Sequence, residues 1–196
     1  GGIPQLIDLV SKSAKETQEF AARALWHLAG NNDSKLMIAD SGGIIPLVSM
    51  LSAAEAHSQE LAAVVIARLS KDNAAVSLAI ASAGGIVPLV RLIREGASPV
   101  AQLQAAAAIA EVAQVPKVRD GIAEAGGIES LVRCLSSEIA GTPETSALAL
   151  ARLARDDVQS GEDGGGEPDE PPEVPVEKPG AGRRAAILAS GGVKRL

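Results

Sequence analysis

Apolar residues recur along this chain in two alternating patterns. The first is a short run with apolar side chains at i, i+1, i+3 and i+4. It occurs at Leu6-Ile7 with Leu9-Val10, Leu47-Val48 with Met50-Leu51, Leu89-Val90 with Leu92-Ile93, and Leu131-Val132 with Cys134-Leu135. That spacing marks one face of a helix, whereas a half-buried strand would alternate with period two. The second pattern is longer, rich in Ala and Leu, and covers residues 15–29, 57–70, 98–113 and 143–154. It predicts a long helix after each short one. A third, brief helical stretch is predicted at residues 34–39, 75–81, 118–123 and 184–188.

Each brief stretch ends in a pair of glycines. Gly1-Gly2-Ile3, Gly42-Gly43-Ile44, Gly84-Gly85-Ile86, Gly126-Gly127-Ile128 and Gly191-Gly192-Val193 follow one another at spacings of 41, 42, 42 and 65. Glycine accepts the left-handed C-cap conformation and lets two helices turn sharply against each other. Hydroxyls before proline, Ser98-Pro99 and Thr142-Pro143, predict two N-caps, and Ser13 with Glu16 predicts a capping box. The unit is therefore short helix, Gly-Gly corner, medium helix, loop, long helix.

A three-helix unit with this corner and this period, repeated four times, resembles the armadillo repeat family. HEAT repeats are the nearest competitor, but lack the Gly-Gly corner. The resemblance implies an all-α protein, a right-handed α-solenoid of about four three-helix repeats truncated at both ends. Residues 1–158 are expected to hold a partial first repeat and units near 31–71, 72–114 and 115–158; residues 183–196 would begin another. Both ends cut a unit, which predicts a piece of a longer array.

The last interval is too long by about 24 residues, within 159–182. This acidic, Pro- and Gly-rich stretch has no aliphatic periodicity and is expected to be an extended insert in a surface loop. It also locates the charge. The formal net charge is -6, yet residues 156–182 carry nine acids against one base, Lys178; elsewhere 15 acids face 17 bases. A near-neutral body is a poor match for DNA, whose affinity comes from neutralising many phosphates.

Composition removes other classes. Hydrophobic residues make up 46% of the chain and aromatic ones 1%, Phe20 and Trp26 alone. Single-stranded nucleic-acid binders need aromatic stacking platforms. No run of about 18 apolar residues exists to span a membrane. One cysteine, Cys134, and two histidines, His27 and His57, offer neither a disulfide nor a metal cluster. A lone cysteine suits a reducing compartment, cytoplasm or nucleus by default. Residues 180–185 match a dinucleotide fingerprint by letters, but follow Pro and Glu and not a strand. Asn32-Asp33-Ser34 matches a glycosylation sequon without a secretory leader to give it meaning. No catalytic constellation is present, so no enzyme activity, cofactor or metal is expected.

In the family, the third helices line a groove that binds extended peptides. Nuclear-import adaptors carry Asn and Trp there, four residues apart on each third helix. Here the Asn position falls on His27, Arg68, Glu111 and Arg152, and the Trp position on Arg23, Val64, Ala107 and Leu148. Neither ladder is kept, which argues against basic nuclear-localisation peptides. One turn further come Gly30, Lys71, Gln114 and Arg155; two turns earlier come Glu19, Glu60, Leu103 and Glu144. The candidate groove is thus Arg23, His27, Arg68, Lys71, Glu111, Arg152 and Arg155, basic along one edge, with Arg68/Lys71 and Arg152/Arg155 as pairs. The function implied is a protein–protein interaction scaffold or adaptor for a protein or extended peptide, acidic segments included. The alternatives are a structural subunit of a large assembly, a nuclear-transport adaptor, or the armadillo part of a U-box-type ubiquitin ligase.

Overall fold

The structure is a computed structural model and describes residues 1–96, 98–155 and 181–191. Those residues form twelve α-helices and no strand. They are α1 (Ile3–Lys12), α2 (Lys15–Leu28), α3 (Asn32–Asp40), α4 (Ile44–Met50), α5 (Ala56–Ser70), α6 (Ala74–Ser82), α7 (Ile86–Glu95), α8 (Pro99–Val112), α9 (Arg119–Glu124), α10 (Gly127–Cys134), α11 (Thr142–Leu153) and α12 (Ala181–Ala189). A 3-10 turn at Pro116–Val118 leads into α9.

The long helices α2, α5, α8 and α11 stack each on the next and form the spine. The medium helices α1, α4, α7 and α10 pack against them from one side. The spine can be tight because its buried faces carry alanine: Ala62, Ala63, Ala105, Ala106 and Ala108 are fully buried. Small side chains place helix axes toward the near end of the usual packing range. The larger fillers, Leu25, Leu47, Ile66, Leu89, Ile109 and Leu131, come from both long and medium helices and make one continuous core.

The two glycines of each corner do different work. The first is left-handed, with φ +82° at Gly42, +77° at Gly84, +80° at Gly126 and +77° at Gly191. Its N–H and that of its neighbour close a Schellman motif: Gly84 bonds Ala81 O and Gly85 bonds Ile80 O, both at 2.9 Å. The second glycine has no room for a side chain. A Cβ on Gly43, Gly85 or Gly127 would lie 2.8, 2.9 or 2.7 Å from the carbonyl oxygen of Ile38, Ile80 or Ile122. The chain thereby turns by 87° between α6 and α7. Among the described residues no single helix is long and apolar enough to cross a membrane.

The helix starts show where local reasoning succeeded and failed. Ser98 caps α8 as expected, accepting from the N–H groups of Val100 and Ala101. Ser13 caps nothing, because α2 starts after Ala14 and no side chain reaches its first turn. Thr142 lies inside α11, behind left-handed Gly141, and its Oγ1 is buried without a hydrogen-bond partner among the described residues. Two unexpected caps are Asn31, which accepts from Ser34 N at 2.8 Å, and Asn73, which accepts from Val76 N at 3.0 Å. The Asn32–Ser34 sequon is the first turn of α3. At the other end, α12 begins at Ala181, so the last two residues assigned to the acidic insert are helical. The rest of the insert, and residues 192–196, lie outside the described residues.

The corner leads to the first prediction. Gly84→Ala should cost about 1–2 kcal/mol through its positive φ. Gly85→Ala should cost about 2–3 kcal/mol, because backbone must move to admit the methyl. Urea unfolding of both variants checks the order; an equal or reversed ranking would refute the division of roles.

Candidate functional site

The ladder positions sit at the C-terminal ends of the spine helices. His27 ends α2, Arg68 lies in the last turn of α5, Glu111 in that of α8, and Arg152 in that of α11. Cations there offset the partial negative charge of the terminal carbonyls. Lys71 and Arg155 follow one turn later and are exposed, as are Arg23 and His27.

The structure ties several of these residues to each other across the repeats. Arg152 Nη1 lies 3.2 Å from Glu111 Oε1 and donates to Ala110 O at 2.6 Å; both side chains are over four-fifths buried. Glu111 also accepts from Gln114 and, at 3.5 Å, from the backbone N–H of Asp72. Arg68 stacks on Trp26 of the preceding spine helix, its Cζ 4.5 Å from the ring centroid. Trp26 in turn meets the His27 ring edge-on at 4.8 Å. The pairs expected from position, Arg68/Lys71 and Arg152/Arg155, are thus split: one arginine of each is engaged within the protein, and the exposed partner is Lys71 or Arg155. Arg68 Nε is buried with no hydrogen-bond partner among the described residues, which costs about 1–3 kcal/mol.

In the acidic row two turns earlier, Glu19 and Glu60 are internally satisfied, whereas Glu144 is exposed. Ser58 donates to Glu19 at 2.7 Å, and Ser98 donates to Glu60. Exposed His57 lies 3.8 Å from Glu19. Where Leu103 replaces the glutamate, the facing position is Gly141, whose Cβ would lie 3.7 Å from Leu103 Cδ1.

A further row was not found from sequence. Lys35, Ser77, Arg119 and Arg183 occur at spacings of 42, 42 and 64 and are all buried on the brief helices. Each donates to carbonyls at the ends of spine helices. Lys35 bonds Lys71 O, and Ser77 bonds Ser70 O at 3.3 Å. Arg119 bonds Ala113 O at 2.8 Å and Arg155 O at 3.4 Å. Arg183 bonds Leu153 O at 3.0 Å and also Asp120. These carbonyls have no partner within their own helices. The signal was present as a polar residue at constant period, but period alone does not say that a cation points inward. Burial lowers the pKa of Lys35; Asp72 opposes this, while Arg68 and Lys71 reinforce it.

Among the described residues no three His, Cys, Asp or Glu side chains converge as a metal site would require. Cys134 is half-buried, and burial raises its thiol pKa, which makes it a poor nucleophile.

The Arg152–Glu111 pair generates the second prediction. A double-mutant cycle with Arg152→Met and Glu111→Gln should give a coupling of about 1–2 kcal/mol, above the roughly 0.2–1 kcal/mol of exposed pairs. Urea denaturation of the four proteins measures it; additive effects would mean the pair contributes nothing.

No family model matches this sequence, and no curated protein matches it. Solved structures do match, over the whole chain. An engineered protein, 28% identical, aligns with 100% of this chain and 70% of its own, with a TM-score of 0.82. A designed armadillo repeat protein in complex with the peptide (KR)4 is 21% identical, with 100% and 72% coverage and a TM-score of 0.81. A computationally designed armadillo repeat protein for modular peptide recognition is 21% identical, with 98% and 72% coverage and a TM-score of 0.81. Spine, corner and these superpositions agree: the chain has the armadillo-repeat fold.

Proposed function

We propose that this chain is a protein–protein interaction scaffold whose spine face receives an extended segment of a partner polypeptide. The observation that carries the reading is the regular stack of α2, α5, α8 and α11, with exposed Arg23 and His27 on α2, Lys71 at the end of α5 and Arg155 at the end of α11. A stacked array holds such a row rigidly, so little ordering of the protein is needed on binding. The designed protein in complex with (KR)4 supports peptide recognition on this fold.

Charge then separates this chain from that example. Its exposed ladder is cationic, the same sign as (KR)4, and like charges suppress a partner. Glu111, the acid on the ladder, is held by Arg152 and Gln114. The favoured partner is an acidic or mixed-charge segment. The test is fluorescence anisotropy with a labelled poly-Glu dodecapeptide and with (KR)4. The acidic peptide should bind in a salt-sensitive manner and (KR)4 should not. The triple variant Arg23→Glu/Lys71→Glu/Arg155→Glu should weaken binding at least about tenfold, roughly 1.4 kcal/mol. Unchanged affinity in that variant would refute the spine face as the docking surface.

A further inference from the structure

Between the ends of α2 and α5 lies a notch of about 400 Å³, lined by Gly30, Asn31, Lys35, Arg68, Lys71 and Asp72 among others. Three cations face one carboxylate there. Lys35 is already committed to Lys71 O, and Asp72 is the carboxylate closest in influence to it, with Glu111 weaker. Arg68 and Lys71 therefore keep an uncompensated positive charge at the notch.

Arg68 is held there in an unusual state. Trp26 supports one face of its guanidinium, and its Nε–H has no acceptor among the described residues. The ring restricts the side chain, and Nη2, beside Gly30 at the notch, offers the planar end of the guanidinium to an incoming oxyanion. Gly30 keeps that fork uncovered. A Cβ at position 30 would lie 3.6 Å from Arg68 Nη2, and the backbone does not have a positive φ that would demand glycine. The missing side chain leaves space, and it does so directly beside the guanidinium.

We propose that this notch is an oxyanion-binding site that takes the carboxylate or phosphate of an acidic residue in the docked segment. Arg68 supplies the directional donors, Lys71 a mobile point charge, and Trp26 the platform. The proposal rests on the scaffold reading for the source of its ligand, and adds to it one fixed anchor at the α2–α5 step.

The chain carries its own reporter. Trp26 is the only tryptophan and there is no tyrosine, so emission reports the ring beneath Arg68. The 196-residue protein is titrated with inorganic phosphate at constant ionic strength, chloride being the balancing salt. A saturable change in Trp26 emission is expected, with a shift of the Arg68 Nε–H resonance at the same midpoint. Gly30→Glu, which puts a carboxylate against the guanidinium, should raise the midpoint about tenfold; Lys71→Gln should raise it severalfold. Arg94→Gln, on α7 and paired with Glu95 outside the notch, should leave it unchanged. N-acetyl-phosphoserine amide and N-acetyl-glutamate amide then show which group is preferred, by the lower midpoint. A non-saturable response, or an equal one in Gly30→Glu, overturns the proposal. If phosphate and both amides leave Trp26 and Arg68 unmoved while the poly-Glu peptide still binds, the notch fails and the scaffold stands. If the notch saturates and no acidic peptide binds, the scaffold reading fails and the oxyanion site stands.

Discussion

Everything in this fold depends on there being no side chain in front of a carbonyl oxygen. At Ile38, Ile80 and Ile122 the last turn of a brief helix presses its backbone against the next residue but four, and only a glycine fits. The glycine before it supplies the left-handed turn, and together they set the near-right angle between α6 and α7. The same left-handed glycine recurs at Gly42, Gly84 and Gly126. The spine helices consequently stack with their C-terminal ends side by side, and the ladder, the buried cations and the notch are all products of that alignment.

Much of this was legible in the residues. Period, corner and amphipathic runs each point to the same three-helix unit, which is the agreement between levels that a foldable sequence shows. The long helices fall within a residue or two of their expected limits. Errors gathered at the caps, where one residue of phase decides. Hydroxyl-proline pairs look alike at Ser98 and Thr142, yet Gly141 turns left-handed and draws Thr142 into the helix. Asparagine caps at Asn31 and Asn73 went unnoticed because no proline marks them.

The face of the spine was legible in outline and not in detail. Position on a helix predicts which side chains share an edge; it does not say whether an arginine meets solvent or the neighbouring repeat. Arg152 and Arg155 are three residues apart, and one is clasped by Glu111 while the other is exposed. That difference arises from the step between α8 and α11, a quantity no single repeat contains. The same holds for Arg68, whose state depends on a tryptophan 42 residues earlier. Internal pairing thins the apparent charge of the groove and concentrates what is left at a few places.

The row of buried donors has a mechanical meaning. Arg119 grips the ends of α8 and α11 at once, and Lys35 reaches from beside α2 to the end of α5. Each acts as a rivet between successive layers. Ser77, at the corresponding place between α5 and α8, is too short to do so, and among the described residues its hydroxyl bonds only Ser70 behind it. That layer boundary is held instead by the packing of α5 on α8, by the Ser98–Glu60 hydrogen bond and by the long Glu111–Asp72 contact. The step without a rivet is thus pinned at the opposite ends of its helices, and every step of the spine carries at least one side-chain tie across it.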